Sequence, residues 1–230
     1  MAEVILALDL ANGSEAMRLL DRLPEIRWVK VGSILMTREG APLVRALIDR
    51  GHQVFLDLKW HDIPNTVAGA VMAAKELGVS MATVHALGGR TMMEAAASAA
   101  GADVALVGVT VLTSHDVASY GRATGRRDVS LVDEVVRQAE EAASAGLAGV
   151  VCSSAEVASV SRVLPEGALL VVPGVRRETD TAGDQVRVAT AREAVRAGAT
   201  HLVVGRPVLQ APDPAGALKD LLEEARCVTS

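Results

Sequence analysis

Short apolar runs alternate with longer amphipathic segments along the whole chain. Eight runs rich in Val, Ile and Leu read as strands, over 4–8, 28–31, a central stretch from Val54, 79–85, 104–109, 148–152, 169–172 and 201–204. They are nearly continuously hydrophobic, as strands buried on both faces are. Segments of helical period follow them. Ser14 is placed to cap the first, Thr37 one running to Arg50, and Ser154 one running to Leu164. Further helices are predicted over 65–77, up to Gly101, and over 130–145, 190–197 and 213–225. Residues 113–128, carrying Gly121, Gly125, Arg122, Arg126 and Arg127, read as a long polar loop. Eight β/α units predict an α/β fold, a (β/α)8 TIM barrel, as a single domain over residues 1–230. A doubly wound open sheet is the alternative, but nothing marks an edge strand.

Barrels of this kind carry their chemistry at the C-terminal ends of the strands. Here those ends hold Asp9, Lys30, Asp57 with Lys59, His85, Thr110 to Thr113, Ser153, Pro173 to Arg176, and Gly205 with Arg206. In the central stretch an apolar run, Val54 to Leu56, leads into Asp57-Leu-Lys59-Trp-His61-Asp62-Ile-Pro64-Asn-Thr66. A strand repeats with a period of two, so Asp57 and Lys59 point the same way, roughly 7 Å apart along the chain. Asp62 lies on the loop beyond. Two carboxylates and an ammonium are thus expected to converge. Flanking carboxylates favour the charged form of a lysine, which can then give its proton to a carbanion. The plain alternative is a strand-end salt bridge without chemistry.

Composition sharpens this picture. The 23 basic residues comprise 4 Lys and 19 Arg, yet Lys30 and Lys59 both fall at inner strand ends. Arg cannot donate a proton near neutral pH, whereas Lys can. The net charge is −5, without a basic block, and the aromatic residues are only Trp28, Phe55, Trp60 and Tyr120. A nucleic-acid binder needs a positive face and stacking platforms, so no nucleic acid is expected as a partner. Cys152 and Cys227 make neither a metal spacing nor a disulfide framework, which fits a reducing compartment. No signal-peptide pattern and no apolar run of transmembrane length is visible, so the expected location is the cytoplasm, away from membranes.

Gly205-Arg206 follows the last strand just before a helix. Glycine lets backbone N–H groups approach an anion, and Arg adds a fork of donors, so a phosphate site is expected there. Arg176 and Gln185, on the preceding loop, are placed to close over it. Asp57, Asp62 and His85 form a conceivable metal set, but Lys30 and Lys59 put positive charge where the cation would sit, and no metal is expected. His85 and His61 read as supporting residues, and Cys152 as a small buried hydrophobe.

These residues together resemble the orotidine 5′-phosphate decarboxylase family in its bacterial form. The run Asp57-x-Lys59-x-x-Asp62-Ile63-Pro64-x-Thr66 is similar to that family's signature at every position. The similarity extends to Ala7-Leu8-Asp9, Val29-Lys30-Val31-Gly32, Val84-His85-Ala86 with Gly88-Gly89, and Leu112-Thr113-Ser114. It ends with Pro173-Gly174-Val175-Arg176, Asp184-Gln185 and Gly205-Arg206. The resemblance implies a barrel enzyme that converts orotidine 5′-phosphate to UMP and CO2, the last step of de novo UMP synthesis, without a cofactor. Lys59 is then the proton donor to C6, and Asp57 sits beside the substrate carboxylate. Lys30 and Asp9 contact the ribose, and Thr113 lies by the pyrimidine. Pro173, Arg176, Gln185, Gly205 and Arg206 line the phosphate end. The implied assembly is a homodimer in which Asp62 and Thr66 enter the neighbouring subunit's site. Keto-gulonate-phosphate decarboxylases and hexulose-phosphate synthases carry a similar Asp-x-Lys-x-x-Asp run and use Mg2+. They place Glu where this chain has Lys30 and lack the Ile63-Pro64-x-Thr66 continuation. A catalytically silent nucleotide-binding barrel is the other alternative, and the intact Asp57, Lys59 and Asp62 weigh against it.

Overall fold

The computed structural model describes residues 2–176 and 189–226. Among the described residues there are ten strands and ten α-helices. The strands are β1 (Glu3–Ala7), β2 (Trp28–Gly32), β3 (Gln53–Trp60), β4 (Met81–His85), β5 (Ala105–Val109), β6 (Gly149–Val151), β7 (Leu169–Pro173), β8 (Val175–Arg176), β9 (Ala189–Thr190) and β10 (His201–Val204). The helices are α1 (Gly13–Leu20), α2 (Ser33–Asp49), α3 (Pro64–Leu77), α4 (Arg90–Ala100), α5 (Val117–Thr124), α6 (Leu131–Ser144), α7 (Ser154–Val160), α8 (Ala191–Arg196), α9 (Arg206–Leu209) and α10 (Pro214–Arg226). Eight strands, all parallel, close into a barrel in the order β1-β10-β7-β6-β5-β4-β3-β2. The expected TIM barrel is therefore the observed one. The two short strands β8 and β9 pair separately.

Alternation within each strand divides the core into two layers. Ile5, Ala7, Trp28, Phe55, Met81, Val107, Val171 and Val203 fill the barrel interior. Their strand neighbours, such as Leu6, Val29, Leu56, Ala82 and Val172, pack outward against the helices. Both faces are thus dry, which is why the strands read as continuous apolar runs. On the inner face, two residues past four of these interior side chains, the character of the wall changes. Asp9 follows Ala7, Lys30 follows Trp28, Asp57 follows Phe55, and Gly205 follows Val203.

The helix boundaries differ from expectation where local hydrogen bonding decides. Asn12, not Ser14, caps α1, accepting from the Glu15 N–H at 2.9 Å, while the Ser14 hydroxyl donates to Asn12. Helix α2 starts at Ser33 and not at Thr37. It breaks at Gly40, whose φ of 63° is left-handed, and resumes with Pro42 near the start of its second part. Ser153 caps α7 in place of Ser154. Its N–H and hydroxyl both donate to the Glu156 carboxylate, so this buried serine serves the helix and not the site.

The expected loop over 113–128 contains α5. Asp116 and Ser119 form a reciprocal capping box at its start. Tyr120 is buried, donating to Glu134 of α6 at 3.2 Å and accepting from Gln138 at 2.9 Å. Arg126 and Arg137 also bond Glu134. A turn with little apolar content is held by this buried polar network, which local periodicity does not report.

Candidate active site

The interior strands open at their C-terminal ends into a cavity of about 640 Å3. Its floor is apolar, built from Ala7, Phe55, Val109, Val151 and Val203. Asp9, Lys30, Asp57 and Lys59 line one wall, and Pro173, Arg176, Gly205 and Arg206 another. Thr113 lies at the rim after β5. Leu10, Leu209 and Gln210 also line the cavity and were not singled out from the sequence. Leu10 sits next to Asp9 on the loop that follows β1, and Leu209 and Gln210 lie at the end of α9.

Four side chains on the first wall form a row of alternating charge. Lys30 Nζ lies 3.3 Å from Asp9 Oδ1 and 3.5 Å from Asp57 Oδ2. Lys59 Nζ lies 2.8 Å from Asp57 Oδ1. The inner pair is the dry one, since the Lys30 and Asp57 side chains are 11% and 12% exposed against 39% for Lys59. Burial alone would push the Asp57 carboxyl up. The Lys30 and Lys59 ammoniums, with hydrogen bonds from Lys59 and Thr83, outweigh it and hold the group below the usual carboxylate range. Asp57 is therefore a fixed negative charge between two fixed positive ones. Gly32 makes room for this row, because a Cβ there would stand 3.2 Å from Lys30 Nζ.

Strand pleating alone does not deliver Lys59. Its φ is 53°, the only left-handed non-glycine backbone among the described residues. The register between β3 and β4 shifts at this point, from Leu56 opposite Ala82 to Trp60 opposite Val84. Four steps along β3 thus match two along β4, a bulge that re-aims the chain at the rim. Thr83, between Ala82 and Val84, is fully buried opposite the bulge. Its hydroxyl accepts the Lys59 N–H at 2.8 Å and donates to Asp57 Oδ1 at 3.1 Å. The sequence reading passed over Thr83. The available signal was a polar residue two places after the inward-facing Met81.

Asp62 and Thr66 are exposed and do not line the cavity of their own chain. Asp62 Oδ1 accepts the Ile63 N–H at 2.6 Å. The expected convergence of Asp57, Lys59 and Asp62 is thus not made within one chain. Around them, the rim is apolar in an unusual way. Ile34, Ile63 and Leu87, each just beyond β2, β3 or β4, are 55%, 67% and 43% exposed, and Met72 of α3 is 53% exposed.

His85 ends β4, and its Nδ1 accepts the Leu87 N–H at 3.4 Å. It stacks on His61 with ring centroids 5.4 Å apart. Burial, with the nearby His61 and Lys59, lowers its pKa to about 4, so it is neutral at pH 7. Thr110 is buried and donates to the Val151 carbonyl at 2.8 Å, tying β5 to β6. Cys152 is buried at the cavity edge, as expected of a small hydrophobe. Among the described residues no cluster of three or more His, Cys, Asp or Glu side chains is placed to hold a metal ion. None of the described helices is long and apolar enough to cross a membrane.

Arg176 is buried and closes β8, where it pairs with Thr190 of β9. Residues 177–188 join the two strands in the sequence. Gln185 lies in that segment, outside the described residues, as does Cys227 near the C-terminus.

Known proteins are similar to this chain in sequence and in fold. A protein from Halorhodospira halophila named orotidine 5′-phosphate decarboxylase is 48% identical over 228 residues, spanning 96% of this chain and 94% of its own length. One of the same name from Alkalilimnicola ehrlichii is 48% identical over 231 residues, spanning 97% and 96%. The crystal structure of orotidine 5′-phosphate decarboxylase from Lactobacillus acidophilus superposes with a TM-score of 0.86 at 33% identity, covering 98% of this chain and 100% of that one. Residues 2–221 match the model of one enzyme family. The chain belongs to the orotidine 5′-phosphate decarboxylase / HUMPS family.

Proposed function

We propose that this chain, one barrel domain, decarboxylates orotidine 5′-phosphate to UMP and CO2, without a cofactor, as the last step of de novo UMP synthesis in the cytoplasm. The observation that carries this reading is the row Asp9–Lys30–Asp57–Lys59 on the wall of the cavity at the mouth of the closed barrel. Lys30 stands where the Mg2+-using members of the resembled barrels carry Glu. It also puts a positive charge where a cation would have to bind.

The chemistry follows from the charges. Breaking the C6–carboxyl bond releases CO2 and leaves its electron pair on C6, in the ring plane and without conjugation. The protein must stabilise that pair electrostatically. Lys59 places an ammonium there and transfers its proton to C6, regaining one from solvent afterwards. Asp57 keeps that ammonium aimed and lies beside the substrate carboxylate. Asp9 and Lys30 hold the ribose hydroxyls, and Thr113 abuts the pyrimidine. Pro173, Arg176, Gln185, Gly205 and Arg206 take the phosphate end. Binding energy from the remote phosphate offsets the cost of placing the ring.

The active form in this reading is a homodimer. Asp62 and Thr66 are exposed on the rim that also exposes Ile34, Ile63 and Leu87, so an apolar rim brings them to a neighbouring subunit's cavity. The test is a decarboxylation assay in EDTA with orotidine 5′-phosphate, following loss of the orotate absorbance. Rapid conversion to UMP is the expected result. No conversion, with Mg2+-dependent turnover of a keto-sugar phosphate, would overturn it. Nucleotide binding without turnover of either compound would also overturn it, in favour of a silent barrel.

A further inference from the structure

We infer that Thr83 is a positioning residue for the reaction: its buried hydroxyl orients both the Asp57 carboxylate and the backbone that carries the Lys59 ammonium. The role in turnover rests on the decarboxylase reading above, while the geometry stands without it. Three observations converge on this side chain. It is fully buried. It faces the two-residue excess of β3, where Lys59 bulges with φ 53°. And its one oxygen serves both partners, at 2.8 Å from the Lys59 nitrogen and 3.1 Å from Asp57 Oδ1.

The proton count makes the arrangement directional. A backbone N–H can only donate, so the Thr83 oxygen accepts from Lys59. A threonine hydroxyl has a single hydrogen. With its oxygen taken up by Lys59, that hydrogen goes to Asp57 Oδ1, which also receives the Lys59 ammonium at 2.8 Å. The result is a closed ring: Lys59 N–H to Thr83, Thr83 to Asp57, and Lys59 Nζ to Asp57. The bulge takes the Lys59 N–H out of the regular ladder, and Thr83 supplies the acceptor that the ladder no longer offers. The left-handed turn at Lys59 is held from two sides, by its own side chain and by Thr83. Loss of the hydroxyl removes one donor from Asp57 and one acceptor from Lys59 together. A misplacement of the ammonium by a fraction of an ångström is enough to slow proton delivery.

Thr83→Val keeps the shape and removes the hydroxyl, and Thr83→Ser keeps the hydroxyl and removes the methyl. The wild type, these variants and Val150→Ala, a buried outer-face control in β6, are compared in kcat, KM, UMP affinity and melting temperature. Thr83→Val is expected to lower kcat by about tenfold or more while changing KM and UMP affinity by less than about threefold. The acid limb of its kcat profile moves to higher pH, because Asp57 has lost a donor. Thr83→Ser is expected within about threefold of wild type, with the limb unmoved. If Thr83→Val does not fold, Thr83→Ala carries the same expectation. Wild-type kcat in the hydroxyl-free variant would overturn the inference. So would equal losses in Thr83→Val and Thr83→Ser, or a loss of kcat no greater than the control shows for the same fall in melting temperature. If the wild type does not turn over orotidine 5′-phosphate, the decarboxylase reading fails separately. Thr83 is then judged by carbon NMR titration of the Asp57 carboxyl, identified with Asp57→Asn. A higher pKa in Thr83→Val than in wild type supports its role, and an unchanged one refutes it.

Discussion

Lys59 Nζ meets Asp57 Oδ1 at 2.8 Å although the Lys59 backbone, at φ 53°, departs from the regular strand geometry within β3. A left-handed lysine costs about 1–2 kcal/mol, which a residue with no role beyond a surface charge has no reason to bear. The bulge brings the ammonium back over its neighbour two residues earlier and leaves it at the cavity wall. Asp57 is in turn braced from its other side by Lys30, so the lysine has a fixed counter-charge that does not rotate away.

Lys59→Ala should therefore separate chemistry from binding. Turnover of orotidine 5′-phosphate is expected to fall by about a thousandfold or more, since the proton donor and the charge facing the carbanion go together. UMP affinity should survive, because the Arg176 and Arg206 wall is untouched. Folding should survive too, as Asp57 keeps Lys30 and alanine relaxes the pairing that held the bulge. A single-turnover assay beside calorimetric UMP titration checks this. A variant with near-normal kcat would remove Lys59 from the proposed mechanism.

Much of this was legible in the chain because the barrel imposes a simple rule. Interior apolar residues at Ala7, Trp28, Phe55 and Val203 are followed two places on by Asp9, Lys30, Asp57 and Gly205, so strand ends mark the site. The same rule points to Thr83 from Met81, but a lone threonine among apolar neighbours does not announce a charge partner. Its significance depends on a register shift between two strands, which lies in tertiary pairing and not in periodicity. Helix α5 escaped for a related reason. Its stability comes from Glu134 and Gln138, more than ten residues away in α6, acting on Tyr120. Asp62 shows the opposite case. Its spacing suggested convergence with Lys59 in one chain, whereas the loop carries it outward to the rim.

The α5 network should fail in acid and when its charge is removed. Burial works against the Glu134 carboxylate, but Arg137 and Arg126 outweigh it and lower its pKa to about 2 from an ordinary 4.5. The folded value lies below the unfolded one. The stabilisation is therefore complete above about pH 4.5 and is lost as pH falls toward 2. Both arginines are half exposed, so solvent screening reduces the contribution to about 1–2 kcal/mol. Glu134→Gln should lower the melting temperature by roughly 3–6 °C at neutral pH. It should also expose residues 113–128 to proteolysis before the rest of the barrel. Equal protease resistance in the variant would show that α5 is held by something else.

Three histidines should make the fold sensitive to milder acid. Burial is the main cause that lowers the pKa of His52, His85 and His201 from 6.5, with His85 reaching about 4. Arg50 adds to the effect at His52 and is opposed there by the Ile26 carbonyl, while Glu3 opposes it at His201. Below pH 6.5 the unfolded chain binds protons that the folded chain refuses. Stability is then full above about pH 6.5 and declines as pH falls toward 4. Urea midpoints measured between pH 7 and 5 should fall, with the slope m unchanged. His85→Asn should flatten part of that decline. A midpoint independent of pH across this window would contradict the neutral state of all three rings.

The proposed sharing of Asp62 makes a quantitative prediction about mixed dimers. Lys59→Ala and Asp62→Asn should each be nearly inactive as pure proteins, one lacking its own donor and the other lacking the partner's carboxylate. In a mixed dimer the Lys59→Ala subunit still offers an intact Asp62, and the Asp62→Asn subunit still has an intact Lys59. One site of the two is then complete and the other lacks both groups. Equal mixing with random reassortment places half the subunits in mixed dimers, so activity should recover to about a quarter of wild type. Ile63→Asp, which puts a charge on the most exposed of the rim's large hydrophobics, should weaken the dimer and make activity fall on dilution. Sedimentation across the same concentration range checks that the two losses coincide. Recovery absent from a mixture shown to have exchanged subunits would mean that each cavity is complete within its own chain.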